Sequence, residues 1–279
     1  MIRLGIVPYL NAFPYLYGLQ RTELDFSVEI SFAHPTQLNA QLARGELEAA
    51  LISSIEYARH WQNYTAVSSL GIGTRGSAGS VLFFSRLPIQ QLSGGEIGLT
   101  HASATGGALL HILLERYWGV SGTRLVPFSD LEQAEEQFSS FLLIGDLALE
   151  FQQKLAPGDP WQGWDLGKIW RDWSGLAFVF ALWTVRSEWV RKNPAKALSV
   201  GENLKKAISI AEQDPLAVIQ EAKRRWKKVE HIEKYLGQFD YLLSQAHWDG
   251  LVSFYQWAKR FNEIERVPDL DPIKGEVHV

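Results

Sequence analysis

Short apolar runs alternate with amphipathic stretches over the first two-thirds of the chain. Arg3 to Val7 alternates and carries enough β-branched residues for a strand, and Val28 to Phe32, Leu47 to Ile52, Val67 to Ile72 and Ser80 to Ser85 repeat the signal. After Tyr9-Leu10-Asn11 comes an apolar stretch closed by Gly18. Pro35 stands where a first helical residue belongs, Leu38 and Leu42 share one face, and Gly45 follows as a C′ residue. Ser53 and Glu56 have the spacing of a capping box, so Ser53-Ser54 is expected to open a helix.

A second series starts with a strand at Glu96 to Thr100. It continues with a loop from His101 to Gly107, a helix from Ala108 to Trp118, a strand from Arg124 to Phe128 and a helix from Leu131 capped by Ser129 or Asp130. Phe141 to Ile144 reads as a strand ending in Gly145-Asp146, and Leu147 to Leu155 as a helix. Ala156 to Gly175 holds Pro, Gly and Trp and reads as a long ordered loop, followed by an apolar strand from Phe178 to Val185. The remainder is helical, with starts at Ser187 or Asn193-Pro194 and at Asp214-Pro215, and two more helices between Glu233 and Phe261.

Such alternation implies an α/β fold with helices on both faces of its sheets. Two series suggest two lobes, one from residues 1–88 with 178–279 and one from 89–177. Crossings at Ser80–Pro88 and Gly175–Ala181 would form a hinge for closure on a ligand in the cleft. A length of 279 residues suits two such lobes.

Composition removes several functional classes. The net charge of −4 disfavours nucleic acid as a partner, and the absence of cysteine excludes disulfides, thiolate metal sites and cysteine nucleophiles. The N-terminal apolar run is broken by Pro8, Asn11 and Pro14, unlike a signal peptide, and no run is long enough for a membrane span. A cytoplasmic protein with no membrane partner is expected, with room for a homodimer. Six of the eleven tryptophans fall between Trp161 and Trp189, which suits loop packing better than a ligand wall. The run Lys223-Arg224-Arg225-Trp226-Lys227-Lys228 reads as a solvated helix face.

Ligands of open α/β sheets sit beyond the carboxyl ends of strands. Four such ends here carry small or polar residues: Tyr9-Leu10-Asn11, Ser53-Ser54, Ser103-Ala104-Thr105-Gly106-Gly107 and Gly145-Asp146. The third combines hydroxyls and glycines at a helix start, where free N–H groups and the helix dipole favour an anion, although a capped turn uses the same residues. Two such starts facing one cleft would suit a dicarboxylate. Asp146 reads either as a helix N-cap or as a cleft carboxylate. His101 is the only histidine near the anion loop, and none of the seven has metal-ligand spacing. Gly71-Ile-Gly-Thr-Arg-Gly has dinucleotide spacing but opens no helix, so no nucleotide cofactor is read from it.

Taken in order, these segments form a pattern. Val7-Pro-Tyr-Leu-Asn11 with Pro14 and Gly18-Leu19, Gly45 through Tyr57, Gly79-Ser80 through Ile89, Leu99-Thr100 through Leu110, Leu143-Ile-Gly-Asp146, and Asp165-Leu-Gly167 with Gly175 through Trp183 succeed one another along the chain. They resemble the chorismate dehydratases of the futalosine route to menaquinone. Pro8, Gly106 and Ala177 depart from that family's usual Ser, Ser and Pro.

The resemblance implies a two-lobed, periplasmic-binding-protein-like (type II) fold with mixed sheets, a ligand cleft between the lobes, dehydration of chorismate, and no cofactor or metal. Strand ends and blocks together give Tyr9, Leu10, Ser53, Ser54, Gly79, Ser80, Ser103, Ala104, Thr105, Gly106, Gly145 and Asp146 as candidate substrate contacts, with Asn11 as the catalytic position. The alternatives are the 1,4-dihydroxy-6-naphthoate synthase of the same pathway, expected to use a histidine base, and a non-catalytic receptor for an anion.

Overall fold

The computed structural model describes residues 1–24, 27–100 and 103–269. The chain enters through β1 (Ile2–Ile6), a 3-10 turn (Leu10–Ala12) and α1 (Phe13–Leu19), then β2 (Val28–Phe32), α2 (Pro35–Arg44), β3 (Ala49–Ser53), α3 (Ser54–His60) and the long β4 (Tyr64–Thr74). It crosses to β5 (Val81–Ser85), β6 (Glu96–Thr100), α4 (Ala104–Arg116), β7 (Arg124–Phe128), α5 (Leu131–Gln137), β8 (Ser140–Ile144), α6 (Gly145–Lys154), β9 (Gln162–Asp165) and α7 (Leu166–Ser174). It returns through β10 (Phe178–Arg186) into α8 (Ser187–Lys192), α9 (Pro194–Gln213), α10 (Pro215–Arg225), α11 (Ile232–Leu236), β11 (Asp240–Leu242) and α12 (Gln245–Arg260).

Both sheets are mixed. The first runs β11-β4-β10-β3-β1-β2 and the second β7-β6-β8-β5-β9. In the first, β1 is parallel to β2 and β3, and the returning β10 is antiparallel to β3 and β4. In the second, β6 is parallel to β7 and β8, whereas β5 is antiparallel to β8 and β9. The expected division at residue 88 therefore moves back. Because β5 pairs only within the second sheet, the chain leaves the first sheet between Thr74 and Val81 and returns between Ser174 and Phe178.

Local signals explain many boundaries. Pro35 occupies the first turn of α2, Leu38 and Leu42 are fully buried, and Gly45 ends the helix at φ +77°, a backbone that glycine adopts without strain. Asp130 caps α5 by accepting the Gln133 N–H.

Four readings need correction. Gly18 lies inside α1 rather than closing it. A Cβ there would sit 1.9 Å from the Ala207 carbonyl oxygen, so its role is to let α1 and α9 approach. Ser53 precedes α3, but its side chain makes no capping bond and Glu56 faces His60 instead. The helix expected from Ala108 begins at Ala104, which puts Thr105, Gly106 and Gly107 in its first turn rather than in a loop. The stretch expected to be a loop after Ala156 contains β9 and α7. Asp165 caps α7 through the Lys168 N–H and holds the crossing segment through the Ala78 and Gly79 amides at 3.0 and 2.6 Å.

The main core runs beneath both sheets. A second aromatic cluster of Phe84, Phe141, Phe151 and Trp161 fills the far side of the second lobe. Trp170 and Trp183 are completely buried, so the tryptophan-rich stretch is structural packing.

Candidate functional site

A cavity open to solvent lies between the two sheets. Val7, Tyr9 and Asn11 enter it from the end of β1, Leu51 and Ser53 from β3, and Ser103 to Gly106 from the start of α4. Ser80 and Val81 arrive from the crossing into β5, Ile144 and Gly145 from the end of β8, and Phe180 and Ala181 from β10. Pro35, Ile72 and Phe239 complete the wall. Nine of the thirteen expected contact and catalytic residues therefore share one cavity; Leu10, Ser54, Gly79 and Asp146 are not part of its lining.

Two lining side chains hold polar atoms that the protein leaves unsatisfied. Asn11 Oδ1 and Ser103 Oγ are buried and have no hydrogen-bond partner. Such atoms carry an energetic cost unless something in the cavity bonds them. Asn11 is held from behind, where the Tyr241 hydroxyl donates to its carbonyl at 2.9 Å. Glycine at 106 keeps Ser103 in place, because a Cβ there would lie 2.2 Å from Ser103 Oγ.

The four expected residues outside the lining support it. Ser54 Oγ donates to the Val179 carbonyl at 2.8 Å and lies 3.3 Å from Thr105 Oγ1. Gly79, at φ +70°, packs under the Tyr235 ring. Asp146 is neither the N-cap of α6 nor a free cleft carboxylate. Its carboxylate accepts the Leu10 N–H at 3.0 Å and the Trp226 Nε1–H at 2.6 Å, both from the opposite lobe. Trp226 thus belongs to a lobe contact rather than to a solvated face.

Three polar bridges consequently tie the lobes together around the cavity. Asp146 meets Leu10 and Trp226. Thr105 Oγ1 accepts the Ile55 N–H of α3 at 3.1 Å, so the second lobe caps a helix of the first. The hydroxyls of Ser80 and Tyr235 lie 2.7 Å apart.

Burial pushes the Asp146 carboxyl upward, and the two N–H donors partly offset this. Burial, and then the charge of Asp146, raises the Tyr9 phenol to about 12, so it is neutral; its hydroxyl lies 3.1 Å from His34 Nδ1. Among the described lining residues, Tyr9 is the only ionisable one. His101 lies outside the described residues. Among the described residues, no group of three His, Asp or Glu side chains is placed to hold a metal ion.

The chemistry this allows is narrow. Val7, Leu51, Ile72, Val81, Ile144, Phe180 and Phe239 offer an apolar bed for a ring. The amides at the start of α4, with Ser53, Ser80, Ser103 and Thr105, offer donors for anionic oxygens without a cationic side chain. Sequence reasoning missed the apolar wall. Phe180 sits mid-strand and Phe239 comes from the helical tail, where no local pattern marks a cavity.

Comparisons with known proteins agree with this architecture. A family described as menaquinone biosynthesis matches residues 2–260. A chorismate dehydratase from Thermus thermophilus is 28% identical over 268 residues, covering 90% of this chain and 93% of that protein. Among solved structures, a structural-genomics protein from Archaeoglobus fulgidus aligns with a TM-score of 0.76 at 18% identity, covering 94% of this chain and 98% of the other. The alkanesulfonate-binding protein of Xanthomonas axonopodis pv. citri, bound to MOPS, aligns with a TM-score of 0.68 at 13% identity over 96% and 94% of the two chains. These structural likenesses establish the two-lobed binding-protein fold. No described helix is long and apolar enough to cross a membrane.

Proposed function

The chain belongs to the menaquinone-biosynthesis family, and from that premise we propose that it removes water from chorismate to give 3-[(1-carboxyvinyl)oxy]benzoate, working in the cytoplasm. The observation that carries this reading is the interlobe cavity, apolar at its walls, with Asn11 Oδ1 and Ser103 Oγ buried and unpartnered. The 28% identity to a chorismate dehydratase over most of both chains supports the choice of substrate.

Chorismate carries two carboxylates and a non-aromatic ring. Loss of the ring hydroxyl and the neighbouring hydrogen makes the ring aromatic, so much of the driving force resides in the substrate. The departing hydrogen is conjugated through a double bond to the ring carboxylate. Donors to that carboxylate stabilise the dienolate-like charge that develops as the proton leaves. The first turn of α4 and its neighbouring hydroxyls are suited to that task.

The base in this reading is the substrate's own enolpyruvyl carboxylate. It takes the ring proton and passes it to the departing hydroxyl, which leaves as water, while the electron pair of the broken C–H bond enters the aromatic ring and the carboxylate is restored. Asn11 and the surrounding hydroxyls hold the carboxylate against the proton, and effective molarity supplies rate in place of a protein base. Incubating the protein with chorismate should produce the aromatic product, followed by its ultraviolet absorbance and mass. Tight chorismate binding without product would sink the enzymatic reading in favour of a receptor.

A further inference from the structure

Ser80 is fixed more firmly than a binding serine needs to be. It is 1% exposed, its carbonyl accepts the Gly145 N–H at 2.8 Å, and Asp165 clamps the two preceding amides. The remaining freedom is the direction of its hydroxyl, which has a single proton: Ser80 lines the cavity, and the Tyr235 hydroxyl lies 2.7 Å from its own. Tyr235 is 3% exposed on α11 of the first lobe, whereas Ser80 leads into the second sheet. The ring of Tyr235 reaches this position over Gly79, where a Cβ would lie 3.0 Å from Tyr235 Cδ2.

A buried phenol must place its proton on an acceptor. Burial raises the Tyr235 phenol well above its ordinary value, so it keeps its proton, and Ser80 Oγ is the acceptor within reach. If Tyr235 donates, the Ser80 proton is free to point into the cavity. If Ser80 donated instead, the phenol proton would be stranded.

We infer that Tyr235 is a positioning residue that turns Ser80 into a hydrogen-bond donor toward an anionic oxygen of the substrate, and that it does so across the lobe boundary. Ser80 is therefore set for binding only when the lobes are together. The kinetic part of this inference rests on the dehydratase reading; the orientation of Ser80 does not.

Tyr235→Phe keeps the ring over Gly79 and deletes the hydroxyl. It should lower kcat on chorismate at least tenfold in the wild-type background and leave the Ser80→Ala variant unchanged, because nothing remains to be oriented. An equal loss in both backgrounds, as a general packing defect would give, overturns the inference. Independently, a crystal structure of ligand-free Tyr235→Phe should show Ser80 Oγ rotated or split between rotamers, and a single unchanged rotamer overturns the inference. If the wild-type protein turns over no chorismate, the dehydratase reading falls and the Ser80 rotamer alone decides. Should Tyr235→Phe not fold, 3-fluorotyrosine at 235, a stronger donor of nearly the same shape, should change turnover only while Ser80 is present. No change, or the same change in Ser80→Ala, counts against the proposal.

Discussion

At the scale of single residues, the cavity is marked by polar atoms that bond no other group of the protein. Asn11 Oδ1 is buried and bonds no other group of the protein, so removing it costs the fold no bond to that oxygen. Asn11→Ala is expected to lower kcat/KM for chorismate by about 10²–10³-fold, the range for losing one preorganised polar contact. Its melting temperature should stay level or rise, and a parallel loss of stability and activity would assign Asn11 to the scaffold. Thr105 should behave in the opposite way. Its hydroxyl satisfies the Ile55 N–H at the start of α3. Thr105→Val strands that buried donor and should cost about 1–3 kcal/mol in urea unfolding, with or without ligand. The part Thr105 plays at the start of α3 could not be read locally, since Thr105 and Ile55 are 50 positions apart.

At the scale of elements, α4 is fastened to the segment after α12 by a titratable clasp. His111 Nδ1 lies 3.0 Å from Glu263 Oε1, and Arg59 Nη2 lies 3.0 Å from Glu263 Oε2. The bond to Glu263 raises the His111 value above 6.5, and the same bond holds Glu263 below 4.5. The histidine's contribution is therefore complete below 6.5 and fades as pH rises through its raised value. The glutamate's contribution holds above 4.5 and fades as pH falls through its lowered value. Denaturant unfolding should show a stability plateau between these limits, and His111→Gln should abolish the decline on the alkaline side. A decline that persists in that variant would place its origin elsewhere.

Elements with punctuation of their own were legible in the sequence. Pro35 and Gly45 bracket α2, and Asp214-Pro215 opens α10 with the Asp214 carboxylate accepting the Ala217 N–H. The segment holding β9 and α7 was not, because Pro157, Gly158 and Pro160 give its start the composition of a loop, although Asp165 before Leu166, Ile169, Trp170 and Trp173 is a capped amphipathic helix. The boundary of the second lobe was misplaced for another reason. β5 is apolar throughout and suits either sheet, and only its pairing with β8 and β9 decides.

At the scale of the whole molecule, the four strand ends read from the sequence do meet in one place, because both sheets direct their ends toward the same cleft. What the sequence did not disclose is that residues at those ends also fasten the lobes. The partners of Asp146 are 136 and 80 positions away. Trp226→Phe removes one of them. A hydrogen bond to a charged group is worth about 1.5–3 kcal/mol, so the population of separated lobes should rise about tenfold or more. Small-angle scattering of the ligand-free variant should show a larger radius of gyration, and an unchanged profile would show that Trp226 plays no part in holding the lobes.

The same fastening has a kinetic meaning. The three bridges hold the lobes together over the cavity, so substrate enters and product leaves while they are broken. The association rate then scales with the fraction of time spent apart, and loosening Asp146 should speed capture while weakening retention. Opening of the lobes governs capture and release, and the chemical step proceeds while they are closed.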